Sequence, residues 1–83
     1  MEFIVRTPSQ LGDALKAGRA AKKLTQQEAG GRVGLLPKTI SALESKPERS
    51  SVESLLKLLS ALDLELVLRE KSRQPKASRT SEW

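Results

Sequence analysis

The sequence has no cysteine and no histidine. That excludes disulfides, thiolate nucleophiles, Cys/His metal sites and imidazole general-base chemistry together. Its 10 carboxylates are scattered, and no glycine-rich phosphate loop is present, because Gly30-Gly31 falls inside a helical stretch and not after a strand. Neither an enzyme nor a cofactor is expected. No apolar run approaches the roughly 20 residues that cross a bilayer. The opening Met-Glu-Phe-Ile-Val is too short, and carries an acid, for a signal peptide. A cytoplasmic protein with no membrane contact is expected.

What is present is a basic chain of 83 residues with 15 Lys and Arg and a net charge of +5. That length allows one domain near the lower limit of independent folding, so oligomerisation is expected to add stability. No acid falls between Ala14 and Gln27, where Lys16, Arg19, Lys22 and Lys23 lie. Such charge points to phosphate-bearing partners, although a solvated basic surface gives the same composition.

Residues 2–6 carry a short β-prone run, Phe3-Ile4-Val5. Thr7 then caps a helix, with Pro8 in its first turn and Gln10 completing a capping box. Leu11, Ala14, Leu15, Gly18 and Ala21 recur at helical spacing and predict an amphipathic helix over 8–23. Thr25 with Glu28 forms a second capping box, Gly34 suits a left-handed helix end, and Pro37 suits the first turn of the next helix. Two short helices, 25–33 and 37–45, follow from this. Pro47 stops the third, 46–50 reads as a polar loop, and Ser50 with Glu53 opens a fourth helix over 51–62. The apolar positions of that helix, Val52, Leu55, Leu56, Leu58, Leu59 and Leu62, cover a wider arc than one core face requires. Leu58 and Leu62 at its edge are either a second interface or part of a deeply buried helix.

Over 64–69 the period changes to 2, with Leu64, Leu66 and Leu68 on one face, which predicts a strand. A lone strand leaves its ladder unpaired. It must pair with Phe3–Val5, with the same strand of a second copy, or with both. The expected fold is an all-α bundle of four helices with a short C-terminal strand, and Leu58, Leu62, Leu64, Leu66 and Leu68 are the candidate dimer interface. Residues 1–69 form the domain. Residues 70–83 are a basic tail, disordered by composition, ending in Trp83, the only tryptophan.

Val33, Leu35, Ile40 and Leu43 supply an apolar side that locks the second and third helices together. Lys38, Thr39, Ser41 and Ser45 are left as the reaching side. This is a helix-turn-helix, which places its second helix in the DNA major groove. Gln26, with Gln27 beside it, sits in the first turn of the second helix, where side chain and backbone N–H meet a phosphate. Lys38 can donate to guanine O6 and N7, and Ser41 is small and adaptable. Pro37 offers no amide for base reading, which leaves specificity to Lys38, Ser41 and DNA shape. Ser45, Lys46 and Arg49 are candidate phosphate contacts at the far end. Arg19 and Glu44 read as a structural ion pair clamping two helices. Trp83 is either a chain-end residue of no consequence or the anchor of a docking peptide.

With those residues assembled, the chain resembles the lambda-repressor-like helix-turn-helix family over about residues 9–63. The likeness is carried by Arg19, Leu24-Thr25-Gln26-Gln27-Glu28, Gly34-Leu35, Thr39-Ile40-Ser41 and Leu43-Glu44. Within that family it is similar to the HipB-type antitoxins over nearly the whole chain, from Pro8-Ser9-Gln10-Leu11 to the leucine-rich strand and the terminal Glu82-Trp83. The resemblance implies a bacterial, nucleoid-associated homodimer. Such a dimer pairs its C-terminal strands, binds its own palindromic operator and holds a HipA-type serine/threonine kinase toxin inactive, with Trp83 as the candidate toxin contact. Ala29 and Gly30 depart from the Leu and Ala usual at those positions, and each helix-interior glycine costs about 1 kcal/mol. A stand-alone repressor of the same fold needs no aromatic terminus. A protein-interaction adaptor that has lost DNA binding is a further alternative, opposed by the basic first helix and Lys38.

Overall fold

Local capping sets where the helices begin. In the computed structural model, which describes residues 2–71, the Gln10 N–H donates to Thr7 Oγ1 at 3.1 Å and Pro8 opens α1 (Pro8–Ala21). The second half of that capping box is displaced by one residue, since Gln10 Oε1 accepts from the Arg6 N–H at 2.6 Å. α1 ends at Ala21 and does not reach 23, because Lys23 takes a left-handed φ of 58° that no α-helix continues. α2 (Gln26–Val33) has a complete capping box: the Glu28 N–H donates to Thr25 Oγ1 at 3.0 Å and the Thr25 N–H to Glu28 Oε1 at 2.8 Å. Gly34, at φ 75°, ends it.

α3 (Pro37–Ser45) starts at Pro37 and is followed by a 3-10 turn, Pro47–Arg49, where the sequence reads as a plain loop. That turn engages the Ser50 N–H, which donates to the Pro47 carbonyl at 3.0 Å. The cap of α4 (Val52–Ala61) therefore passes to Ser51, whose Oγ accepts from the Ser54 N–H at 3.0 Å.

Leu15, Ile40, Leu43, Leu58 and Leu62 fill the centre, with Ala29, Leu59 and Ala61 between them. Burying each such aliphatic side chain stabilises the fold by about 1.5–3 kcal/mol. Leu11, Leu24, Val33, Leu35, Leu55 and Leu64 close the rim. Leu58 and Leu62 are thus corrected as interface candidates. They are 0% and 1% exposed within a single chain and have no surface left for a partner. The wide apolar arc of α4 resolves into this buried stripe and an exposed edge made by Val52 and Leu56.

The expected strand is also corrected for the single chain. Among the described residues the fold is all-α, and the last backbone bond is the Leu64 N–H to the Leu59 carbonyl at 2.9 Å, which finishes α4. Beyond it no backbone ladder joins 64–69 to Phe3–Val5, while an ion pair at 3.6 Å ties Arg69 to Glu2, the residue before Phe3. A period of 2 encodes a face but not a hydrogen-bonding partner, and the described residues supply none. Leu64 packs over Gly18 at the core rim, while Leu66 and Leu68 stay exposed. No described helix is long and apolar enough to cross a membrane.

Candidate nucleic-acid interface

α3 is fixed on its inner side and free on its outer one. Ile40 and Leu43 are fully buried. α3 also lies against α1 at Gly12, where a Cβ would fall well inside the 3.0 Å that real Cβ atoms keep from the Glu44 carbonyl. Only glycine allows that approach.

The end of α3 is tied down by a forked ion pair. Arg19 Nε donates to Glu44 Oε2 at 2.6 Å and Nη2 to Oε1 at 3.0 Å, while Nη1 donates to the Leu24 carbonyl at 2.9 Å. The side chains of Arg19 and Glu44 are 16% and 6% exposed, so this bidentate pair is largely shielded from water. The hydrogen bond from Arg19 to Glu44 raises the guanidinium above its ordinary pKa against the lowering effect of burial, and the charge is permanent.

Lys38, Ser41, Ala42 and Ser45 form the outer face of α3, at helical spacing and all exposed, with Thr39 half-buried beside them. The face runs about 10 Å from Lys38 to Ser45. Exposed Lys46 lies just past its end, and Arg49 is exposed on the 3-10 turn. The Ser45 hydroxyl donates to the Ser41 carbonyl at 2.9 Å, so its single proton is in use and a phosphate would have to displace that bond.

Gln26 and Gln27 open α2. The Gln26 carboxamide donates from Nε2 to Glu44 Oε1 at 3.4 Å, which sets the start of α2 beside the last turn of α3. Among the described residues the backbone N–H groups of Gln26 and Gln27 have no partner, whereas those of Thr25 and Glu28 are satisfied by the capping box. Two free donors therefore sit at the positive end of the α2 dipole.

Arg19, Glu44 and Gln26 are brought into one network, and Lys38 lies at the opposite end of the reading face. The dimer leucines are split between core, rim and surface, and Trp83 lies outside the described residues. Sequence reasoning missed Ala42, although its position four residues after Lys38 marks it as part of the same face. It also missed a Lys22–Asp63 ion pair at 2.7 Å and a bond from Arg32 Nη1 to the Ala61 carbonyl at 3.3 Å, which join the ends of α1, α2 and α4. The Lys22 ammonium holds the Asp63 carboxyl below its ordinary pKa.

A short helix packed at its base, an exposed polar helix after a glycine turn, and free amides at the first helix's start define one class. The helix-turn-helix family matches residues 15–68, and the chain belongs to that family. Within it, the chain is 32% identical to antitoxin HipB of Escherichia coli O6:H1 over 82 residues, spanning 95% of this chain and 87% of the relative. It is also similar to HipB in two solved structures, the HipA-HipB-O2-O3 complex and the HipB-O4 20mer complex. Each gives a TM-score of 0.80 at 28% identity, covering 86% of this chain and 100% of the other. The HipB-type resemblance read from the sequence is borne out.

Proposed function

We propose that the chain is an antitoxin that acts by binding alone. It binds the palindromic operator of its own gene as a homodimer, represses transcription there, and holds a HipA-type serine/threonine kinase inactive in the bacterial cytoplasm. The observation that carries this reading is the outward face of α3, with Lys38 and small residues, held rigidly by Ile40, Leu43, Gly12 and the Arg19–Glu44 pair in a HipB-like chain. In a complex, Lys38 and Ser41 read base edges with Thr39 beside them. Gln26, Gln27, Lys46 and the free amides of α2 hold phosphates, and Ser45 joins them once its bond to Ser41 opens.

Residues 64–69 of two copies pair antiparallel about the twofold axis in this reading. Leu66 and Leu68 are exposed, and no backbone bond joins them to another described residue, which supports that arrangement. Truncation after Leu62 is expected to give a monomer or an insoluble chain. The basic tail from residue 70 carries Trp83 to the kinase, where an indole can serve as a hot spot.

The test is titration of the purified chain, first with a duplex of the sequence upstream of its own gene and then with the HipA-type kinase encoded beside it. DNA affinity that falls steeply with salt, together with stoichiometric loss of kinase activity, is the expected result. DNA binding with no effect on the kinase identifies a stand-alone repressor instead.

A further inference from the structure

We infer that Glu44 is a positioning residue for DNA contact: it holds the Gln26 carboxamide beside the two free amides of α2, so that three donors converge on one phosphate. The inference rests on the reading of Gln26 as a phosphate contact. An untethered glutamine at an exposed helix start samples many rotamers, and its N–H meets a phosphate in few of them. Here the side chain is not free. Glu44 Oε1 accepts from Gln26 Nε2 at 3.4 Å and from Arg19 Nη2 at 3.0 Å, and Oε2 accepts from Arg19 Nε at 2.6 Å.

The carboxylate cannot swing away, because both its oxygens are engaged by a guanidinium that is itself bonded to the Leu24 carbonyl, two residues before Gln26. A carboxamide nitrogen carries two N–H groups. One faces Glu44, and the other has no acceptor among the described residues. The same fork settles an electrostatic difficulty. A bare carboxylate beside a phosphate contact would repel DNA, whereas Glu44 is neutralised by Arg19. Glu44 thus acts on DNA through Gln26 and without touching it. Since phosphates carry no base identity, its effect is equal on all sequences.

The experiment is a double-mutant cycle on the full chain with Glu44→Ala, Gln26→Ala and both together. Affinity is measured on a duplex of the sequence upstream of its own gene and on a scrambled duplex of equal length, at a temperature where circular dichroism shows each variant folded. Glu44→Ala is expected to weaken binding about three- to tenfold on both duplexes, and the double variant to bind no more weakly than Gln26→Ala. A purely structural role for Glu44 lowers affinity by the same factor with or without the Gln26 amide, and that additivity overturns the inference. So does unchanged affinity in Glu44→Ala.

If Glu44→Ala does not fold, the side-chain amide of Gln26 in the wild-type 15N spectrum carries the test. One of its two protons is expected to be displaced downfield and protected from exchange. An amide pair at solvent-exposed positions overturns the inference. Failure of the DNA-binding reading itself looks different: the wild type then does not distinguish the upstream duplex from the scrambled one.

Discussion

Gly30 and Gly31 stand side by side in α2, and helix propensity alone predicts that alanine at either position stabilises by about 1 kcal/mol. Packing separates them. A Cβ on Gly31 meets nothing within 4 Å, so Gly31→Ala keeps the propensity gain. A Cβ on Gly30 would fall well inside 3.0 Å of the Leu35 carbonyl oxygen, with Ile40 Cγ1 3.5 Å away. The Leu35 N–H in turn donates to the Gly30 carbonyl at 2.9 Å, so the clash is with backbone that is itself bonded in place. The turn must open by about 1 Å, at an overpacking cost of about 1–3 kcal/mol. Weakening that backbone bond adds about 1 kcal/mol. Set against the propensity gain, Gly30→Ala destabilises by about 1–3 kcal/mol. At about 4–8 °C per kcal/mol for a domain of this size, Gly31→Ala raises Tm by about 4–8 °C and Gly30→Ala lowers it by about 4–24 °C. The assay is thermal melting by circular dichroism at matched protein concentration, supported by urea midpoints. A Gly30→Ala protein that melts at or above the wild type refutes the close α2–α3 turn.

Three further outcomes are expected. Glu44→Ala strands the Arg19 guanidinium and costs about 3–5 kcal/mol, towards the lower end because Arg19 retains some water contact. Its ranking of operator sequences stays that of the wild type, so a stable variant with altered preference contradicts a structural pair. Lys38→Ala weakens operator binding by about 1–3 kcal/mol per half-site and relaxes selectivity at one base pair, whereas equal weakening on every sequence shows that Lys38 touches phosphate alone. Asp63→Asn tests the Lys22 pair through pH. Because the folded carboxyl titrates below its ordinary value, its contribution is present above that value and is lost as pH falls through the lowered one. The difference in Tm between wild type and variant therefore closes on acidification, and a difference that widens in acid contradicts the pairing.

What was legible in the sequence is what local chemistry decides. Thr25 with Glu28, Gly34 and Pro37 act within a few residues of themselves, and the structure places the ends of α2 and α3 where they direct. The Ser50–Ser51 pair shows the limit. Ser50 has the carboxylate three residues on, yet the 3-10 turn engages its N–H and Ser51 becomes the cap. Six apolar residues in α4 define a broad arc, but which edge stays wet depends on how the other helices pack against it. That left Leu58 and Leu62 ambiguous until the core was seen. Gly12 and Gly30 look like defects in a helix when read alone. Their use, an approach to the backbone of another element, is a tertiary property. The Gln26–Glu44 link was illegible for the same reason, since it joins residues 18 apart on two helices. Leu64, Leu66 and Leu68 announce a face, but among the described residues no backbone ladder forms on that segment, because alternation of side chains does not specify a hydrogen-bonding partner.

The decisive measurement is a hydroxyl-radical footprint of the chain on the DNA upstream of its own gene. A homodimeric helix-turn-helix repressor protects two patches on one face of the duplex, related by a dyad and about 34 Å apart. The protection is expected to fade steeply with added salt. Uniform protection along the duplex at every position, or none at all, contradicts a sequence-reading α3.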